Sequence, residues 1–124
     1  MQFTLETVSH AKVFTSYGEG FLEIDHQRYN SGLCLHGNTV FDDWQETDPK
    51  KLTVESLRQL IDLRPEILIL GTGKRLVFPA PRLLAELHKL GVALETMDTS
   101  AACRTYNILV SERRRVAAAL MLID

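Results

Sequence analysis

The chain has 124 residues, 45% of them hydrophobic and 24% charged. Those proportions describe one globular domain that can bury a core without metal or disulfide staples, and they exclude collagen-like, disordered and disulfide-scaffold classes. Its 14 Lys and Arg against 16 Asp and Glu leave a formal charge of -2, so no general field draws polyanions and no nucleic acid partner is expected.

Met1 to Glu6 show no basic segment followed by an apolar run, so no secretory signal is expected. The longest apolar stretch, Val116 to Ile123, is far below the roughly 18 residues that span a bilayer. The expectation is a cytoplasmic protein that is not an integral membrane protein. Cys34 and Cys103 are too few and too far apart for a disulfide framework or a zinc motif, and both are read as reduced thiols.

Residues 1–20 carry scattered apolar positions and end in the turn-rich Ser16-Tyr17-Gly18-Glu19-Gly20, which predicts a loosely ordered lead-in before a single domain over 21–124. From Phe21 onward, short apolar or alternating runs are separated by polar breaks. Asp25-His26-Gln27 and His36-Gly37-Asn38 read as turns, with Val40 to Trp44 as a further extended run. The first half thus predicts an antiparallel meander.

The period then changes. Val54, Leu57 and Leu60 or Ile61 recur at helical spacing behind Thr53 as a cap, and Pro65 ends the pattern. Ile67-Leu68-Ile69-Leu70 reads as a fully buried strand that stops at Gly71-Thr72-Gly73. A second helix follows Pro79 and Pro81, turns Leu83, Leu84, Leu87 and Leu90 to one face, and ends at Gly91, a natural C′ residue. With Val92 to Thr96 as the next strand, this is a strand-helix-strand unit with parallel strands. A third helix begins at a Thr99 or Ser100 cap and runs through Leu109. Ala117-Ala118-Ala119-Leu120-Met121 has helix propensity, but eight consecutive apolar residues leave no polar face, so a buried strand is expected.

The motifs point to one crevice. Gly71-Thr72-Gly73 lies where a strand hands over to a helix, the position at which open α/β sheets bind ligands. The dinucleotide fingerprint fails because Leu76 stands at the third glycine position, and the phosphate-loop pattern fails because Arg75 follows Lys74. The glycines therefore form either a tight structural turn or an anion-binding crevice completed by Thr99, Cys103 and Arg104. Cys103, near a helix start and beside Arg104, is either a thiol of lowered pKa or a small buried residue. No base or paired acid accompanies it, so no catalytic residue is assigned. Arg104, Tyr106 and Asn107 would share a short helix close to the Gly71 loop, either as structural hydrogen-bonding groups or as part of a site there. The four histidines form no metal-binding cluster, and neither metal nor cofactor is expected. Asp42, Asp43, Glu46 and Asp48 read as a solvated acidic loop, and Arg113-Arg114-Arg115 as a solvated turn with one member paired inward or as a contact for phosphate or an acidic partner.

The run from Met97 through Asp98-Thr99-Ser100-Ala101-Ala102-Cys103-Arg104-Thr105-Tyr106-Asn107 to Leu109, with Glu112 to Leu120 after it, resembles the family labelled domain of unknown function 498. Pro65-Glu66 to Gly73 and Tyr29 to Trp44 fit the same pattern, so the resemblance covers about Phe21 to Ile123. It implies a single α/β domain with a mixed central sheet, flanking helices and an extra antiparallel β layer. It implies no catalytic residues. Family relatives are known as assembly or interaction proteins, among them a mitochondrial complex I assembly factor and an adipogenesis-associated protein, so a protein partner is the leading expectation and a small-molecule or anion-binding domain the alternative. The family commonly has Glu-Gly-Arg where Arg113 stands here; a positive φ at that point would strain Arg113.

Overall fold

The computed structural model describes residues 11–124. An antiparallel sheet of three strands, β1 (Phe14–Gly18), β2 (Phe21–Ile24) and β3 (Gln27–Tyr29), runs in sequence order. Ile24 pairs with Gln27, which leaves Asp25 and His26 as a two-residue turn, and both have positive φ, 48° and 68°. That backbone matches the twist of the flanking strands. The second sheet is mixed and has the order β5-β4-β8-β6-β7. Its strands are β4 (Leu33–His36), β5 (Thr39–Phe41), β6 (Ile67–Gly71), β7 (Ala93–Met97) and β8 (Val116–Leu120). β6 runs parallel to both β7 and β8, whereas β4 is antiparallel to β5 and β8.

Both faces of this second sheet are covered, which explains why β6 and β8 are nearly continuous apolar runs. Alternation along each strand sends Leu68, Leu70, Ala117 and Ala119 to one face, where Trp44, Leu57, Leu60, Leu83 and Leu87 pack. Ile69, Val116, Ala118 and Leu120 go to the other face, against Ala102, Cys103 and Tyr106 of a long helix and Phe14, Leu22 and Ile24 of the small sheet. The helices are α1 (Arg58–Ile61), preceded by a 3-10 turn (Glu55–Leu57), α2 (Pro81–Lys89) and α3 (Thr99–Ser111). The fold is thus α/β, with helices on both faces and the extra β layer beside α3.

Local chemistry places the element ends. Pro81 opens α2, where a missing N–H costs nothing, and Gly91 closes it at φ 78°. Thr53 Oγ1 accepts from the Ser56 amide at 3.3 Å ahead of the single turn of α1. The buried strand expected at the C-terminal apolar run is present as β8.

Several expectations need correction. Of the lead-in, residues 1–10 lie outside the described residues; Phe14–Gly18, however, form β1 and bury Phe14, because the small sheet needs that strand and α3 offers it a partner. The meander is divided between two sheets. β5 ends at Phe41, and Trp44 is no strand residue: it is buried and donates its indole N–H to the Ser56 carbonyl at 2.8 Å. The cap of α3 is Asp98, whose Oδ1 accepts from the Ala101 amide at 3.0 Å, since the Thr99 hydroxyl is used elsewhere.

Candidate functional site at the ends of the parallel strands

Gly71, Thr72, Gly73 and Thr99 meet where β6 ends and α3 begins. A Cβ added to Gly71 would lie 2.6 Å from Leu120 Cδ2 and 2.9 Å from Thr99 Oγ1, so glycine is required by close packing. Gly73 has φ 94°. Its amide donates to Thr99 Oγ1 at 2.8 Å, and that same hydroxyl donates to the Met121 carbonyl at 2.7 Å. The Thr99 amide returns a bond to the Gly73 carbonyl at 2.9 Å. One fully buried hydroxyl therefore ties together the loop after β6, the start of α3 and the end of β8.

Thr72 is equally committed. Its amide donates to the Met97 carbonyl at 2.9 Å, and its hydroxyl donates to the Arg75 carbonyl while accepting from the Val77 amide at 3.1 Å. These amides hold the protein's own oxygens rather than presenting a cradle for an anion. A shallow cleft of about 190 Å³ opens beside them, and of the six sequence-selected residues only Thr72 and Gly73 line it, with Lys74, Glu46 and Leu122 among their neighbours.

Cys103 and Arg104 go elsewhere. Successive helical residues lie about 100° apart, so a helix that turns Thr99 and Cys103 to the sheet must turn Arg104 away. Cys103 is fully buried, and burial pushes its thiol up to about 12, an effect that the nearby Arg104 offsets only in part. The lowered pKa that a helix start can provide is thus absent. Cys34 is likewise raised to about 12, first by burial and then by Asp43. Arg104 Nη1 donates to the Tyr17 hydroxyl at 2.8 Å, out on β1.

Tyr106 and Asn107 serve the same junction. The Tyr106 ring meets Phe14 edge-on, with centroids 5.4 Å apart. Its buried hydroxyl approaches the Gly37 backbone without closing a hydrogen bond, and burial raises its pKa. The trio expected near the Gly71 loop therefore fastens the small sheet to α3 instead.

A larger cleft, of about 780 Å³, lies at the opposite end of the parallel strands between Arg58, Ile61, Arg64, Leu90 and Arg115. The Glu66 carboxylate accepts there from the Arg115 amide at 3.0 Å and from Arg114 Nε at 3.2 Å, and these bonds hold it below the usual carboxylate range. Arg114 makes a pairing of the kind expected of the arginine run, but at the surface rather than inward: its side chain and that of Glu66 are 42% and 40% exposed. The cleft itself escaped sequence reading because its walls come from three separate segments, 58–66, 90–92 and Arg115; the only signal was the paired presence of Pro65-Glu66 and the arginines. Among the described residues, no three metal-ligating side chains gather and no helix is long and apolar enough to cross a membrane.

Residues 14–121 match the family model described as Protein of unknown function (DUF498/DUF598). The chain belongs to this family. The match includes β1, seven residues before the start suggested by the sequence resemblance at Phe21. Over 102 residues the chain is 40% identical to the zebrafish (Danio rerio) NADH dehydrogenase [ubiquinone] 1 alpha subcomplex assembly factor 3, covering 73% of this chain and 59% of that protein. It is 26% identical over 117 residues to the 13 kDa major membrane protein of Francisella tularensis, with 94% and 95% covered. A crystal structure of a Bordetella parapertussis family relative superposes with a TM-score of 0.83 at 36% identity, covering 90% of this chain and 96% of that one. The chain spans 59% and 44% of the length of the first two assembly factors it matches, the second from Xenopus tropicalis.

Proposed function

We propose that this chain is an interaction module of the assembly-factor type, one that binds and stabilises a protein partner rather than transforming a small molecule. The observation that carries this reading is the 40% identity over most of the chain to a relative named as a complex I assembly factor. The geometry supports it. The glycine turn, Thr72 and Thr99 are spent on holding the protein's own segments, and Cys103 is buried as a neutral thiol. The encounter proposed is cytoplasmic, the compartment in which two unpaired thiols stay reduced.

The test is affinity capture after mild cross-linking in the native host, with partners identified by mass spectrometry. The expected result is one reproducible partner recovered in fixed ratio. Recovery of none, together with turnover of a metabolite by the pure protein, overturns the reading.

A further inference from the structure

Most sheet edges among the described residues are short or blocked. β5 and β3 have three residues each, and the Phe14 backbone on β1 is occupied by the Asn107 side chain. β7 is different: it has five residues, pairs among the described residues only with β6, and none of its residues is buried, in contrast to β6 and β8. The Met97 carbonyl accepts from the Thr72 amide on the β6 side. Because backbone groups alternate along a strand, Glu95 and Ala93 also face β6, whereas the N–H and C=O groups of Leu94 and Thr96 face outward. Four backbone hydrogen-bonding groups thus stand ready along an edge that carries no proline.

A second copy of the chain is a poor occupant. The antiparallel pairing that uses both outward residues sets Leu94 against Thr96 and therefore places Glu95 directly opposite Glu95. Like charges at that spacing repel. The same exposed carboxylate favours a lysine or arginine in that position. We propose that the outer edge of β7 receives an extended segment of a protein partner as a sixth strand, with a basic side chain opposite Glu95 and hydrogen bonds to Leu94 and Thr96. This inference rests on the interaction-module reading and adds where the partner docks and what chemistry it brings.

Residue-resolved hydrogen exchange on the full chain tests it, with the end-blocked peptide Thr-Val-Lys-Val-Thr as probe. In the free protein the amides of Leu94 and Thr96 should exchange rapidly while those of Glu95 and Met97 are protected; the peptide should slow exchange at Leu94 and Thr96. Replacing its lysine by glutamate should weaken binding about fivefold, and Glu95→Lys should reverse that preference. Thr96→Pro removes only an outward-facing N–H, so it should leave the fold intact and abolish the protection. Protection of Leu94 and Thr96 without peptide, equal binding of both peptides, or a wild-type dimer joined through β7 overturns the proposal. If a partner captured from the host stays bound to the Thr96→Pro variant, the edge is not the docking site, while the interaction reading stands.

Discussion

Asn107 treats Phe14 as a neighbouring strand would. Its Nδ2 donates to the Phe14 carbonyl at 2.7 Å and its Oδ1 accepts from the Phe14 amide at 2.9 Å, across 93 residues of sequence. A primary amide has the donor and acceptor that a peptide group has, so one side chain on α3 satisfies both backbone groups at the start of β1. Asn107→Ala leaves both without a protein partner and should cost about 1–3 kcal/mol in urea unfolding. Asn107→Asp should be nearly as harmful, because a carboxylate cannot donate to the Phe14 carbonyl.

The Thr99 hydroxyl gives a second prediction. Thr99→Val keeps the shape but strands the Gly73 amide and the Met121 carbonyl in a fully buried place. The expected loss is about 2–4 kcal/mol, measured by chemical denaturation. Thr99→Ser retains the hydroxyl and should lose about 1 kcal/mol or less. If valine and serine behave alike, the hydroxyl does not tie these segments together.

Arg113 has φ 61° in the turn after α3, with its amide bonded to the Val110 carbonyl at 2.9 Å. The left-handed region is costly for a side chain bearing Cβ. Arg113→Gly should therefore stabilise the protein by about 1 kcal/mol, seen as a rise in Tm with unchanged near-ultraviolet circular dichroism. A fall in Tm would mean that the arginine side chain contributes more than its backbone costs.

The two thiols set a pH dependence. Both are pushed from an ordinary 9.0 up to about 12 by burial. The unfolded chain loses these protons above about pH 9 while the folded chain keeps them, so their contribution to stability is complete below pH 9 and is lost as pH rises toward 12. Unfolding free energy should fall over that interval, and the fall should be shallower in the Cys34→Ala, Cys103→Ala double variant. At pH 8 a chromogenic disulfide reagent should modify neither thiol until urea unfolds the protein.

Glu66 responds at the acid end. The Arg115 amide and Arg114 lower its pKa from an ordinary 4.5. A depressed carboxylate contributes stability above its unfolded value that is lost as pH falls through its folded one. Acid unfolding curves of the wild type and Glu66→Gln should thus converge below pH 4.5 and separate above it, with the wild type the more stable.

What was legible in the sequence was what short segments decide for themselves. Pro81 and Gly91 mark α2 because their backbone limits act within one turn, and the unbroken apolar run at Val116 marks β8 because a strand covered on both faces has no polar side. β1 was not legible: Phe14-Thr15-Ser16-Tyr17-Gly18 is half polar, and its burial depends on Asn107, Tyr106 and Arg104 far along the chain. The site shows the same division. Gly71 and Gly73 were correctly located at the turn, but which oxygen each amide would meet depended on the returning ends of α3 and β8. Of the two readings of Cys103 the small buried residue holds: its sequence neighbours suggest a field that would lower the pKa, whereas burial, a property of the whole fold, raises it.

The central sheet has one consequence for how the chain acquires its structure. β8 is the last strand in sequence yet stands between β4 and β6, so the β4–β5 hairpin and the β6–β7 pair share no direct hydrogen bonds across the sheet without it. During synthesis both halves must wait, with apolar faces and inner edges uncovered, until residues 116–120 are free to insert between them. Closure depends on contacts distant in sequence, which makes it slow relative to helix formation, and the waiting halves are the species most prone to pair wrongly.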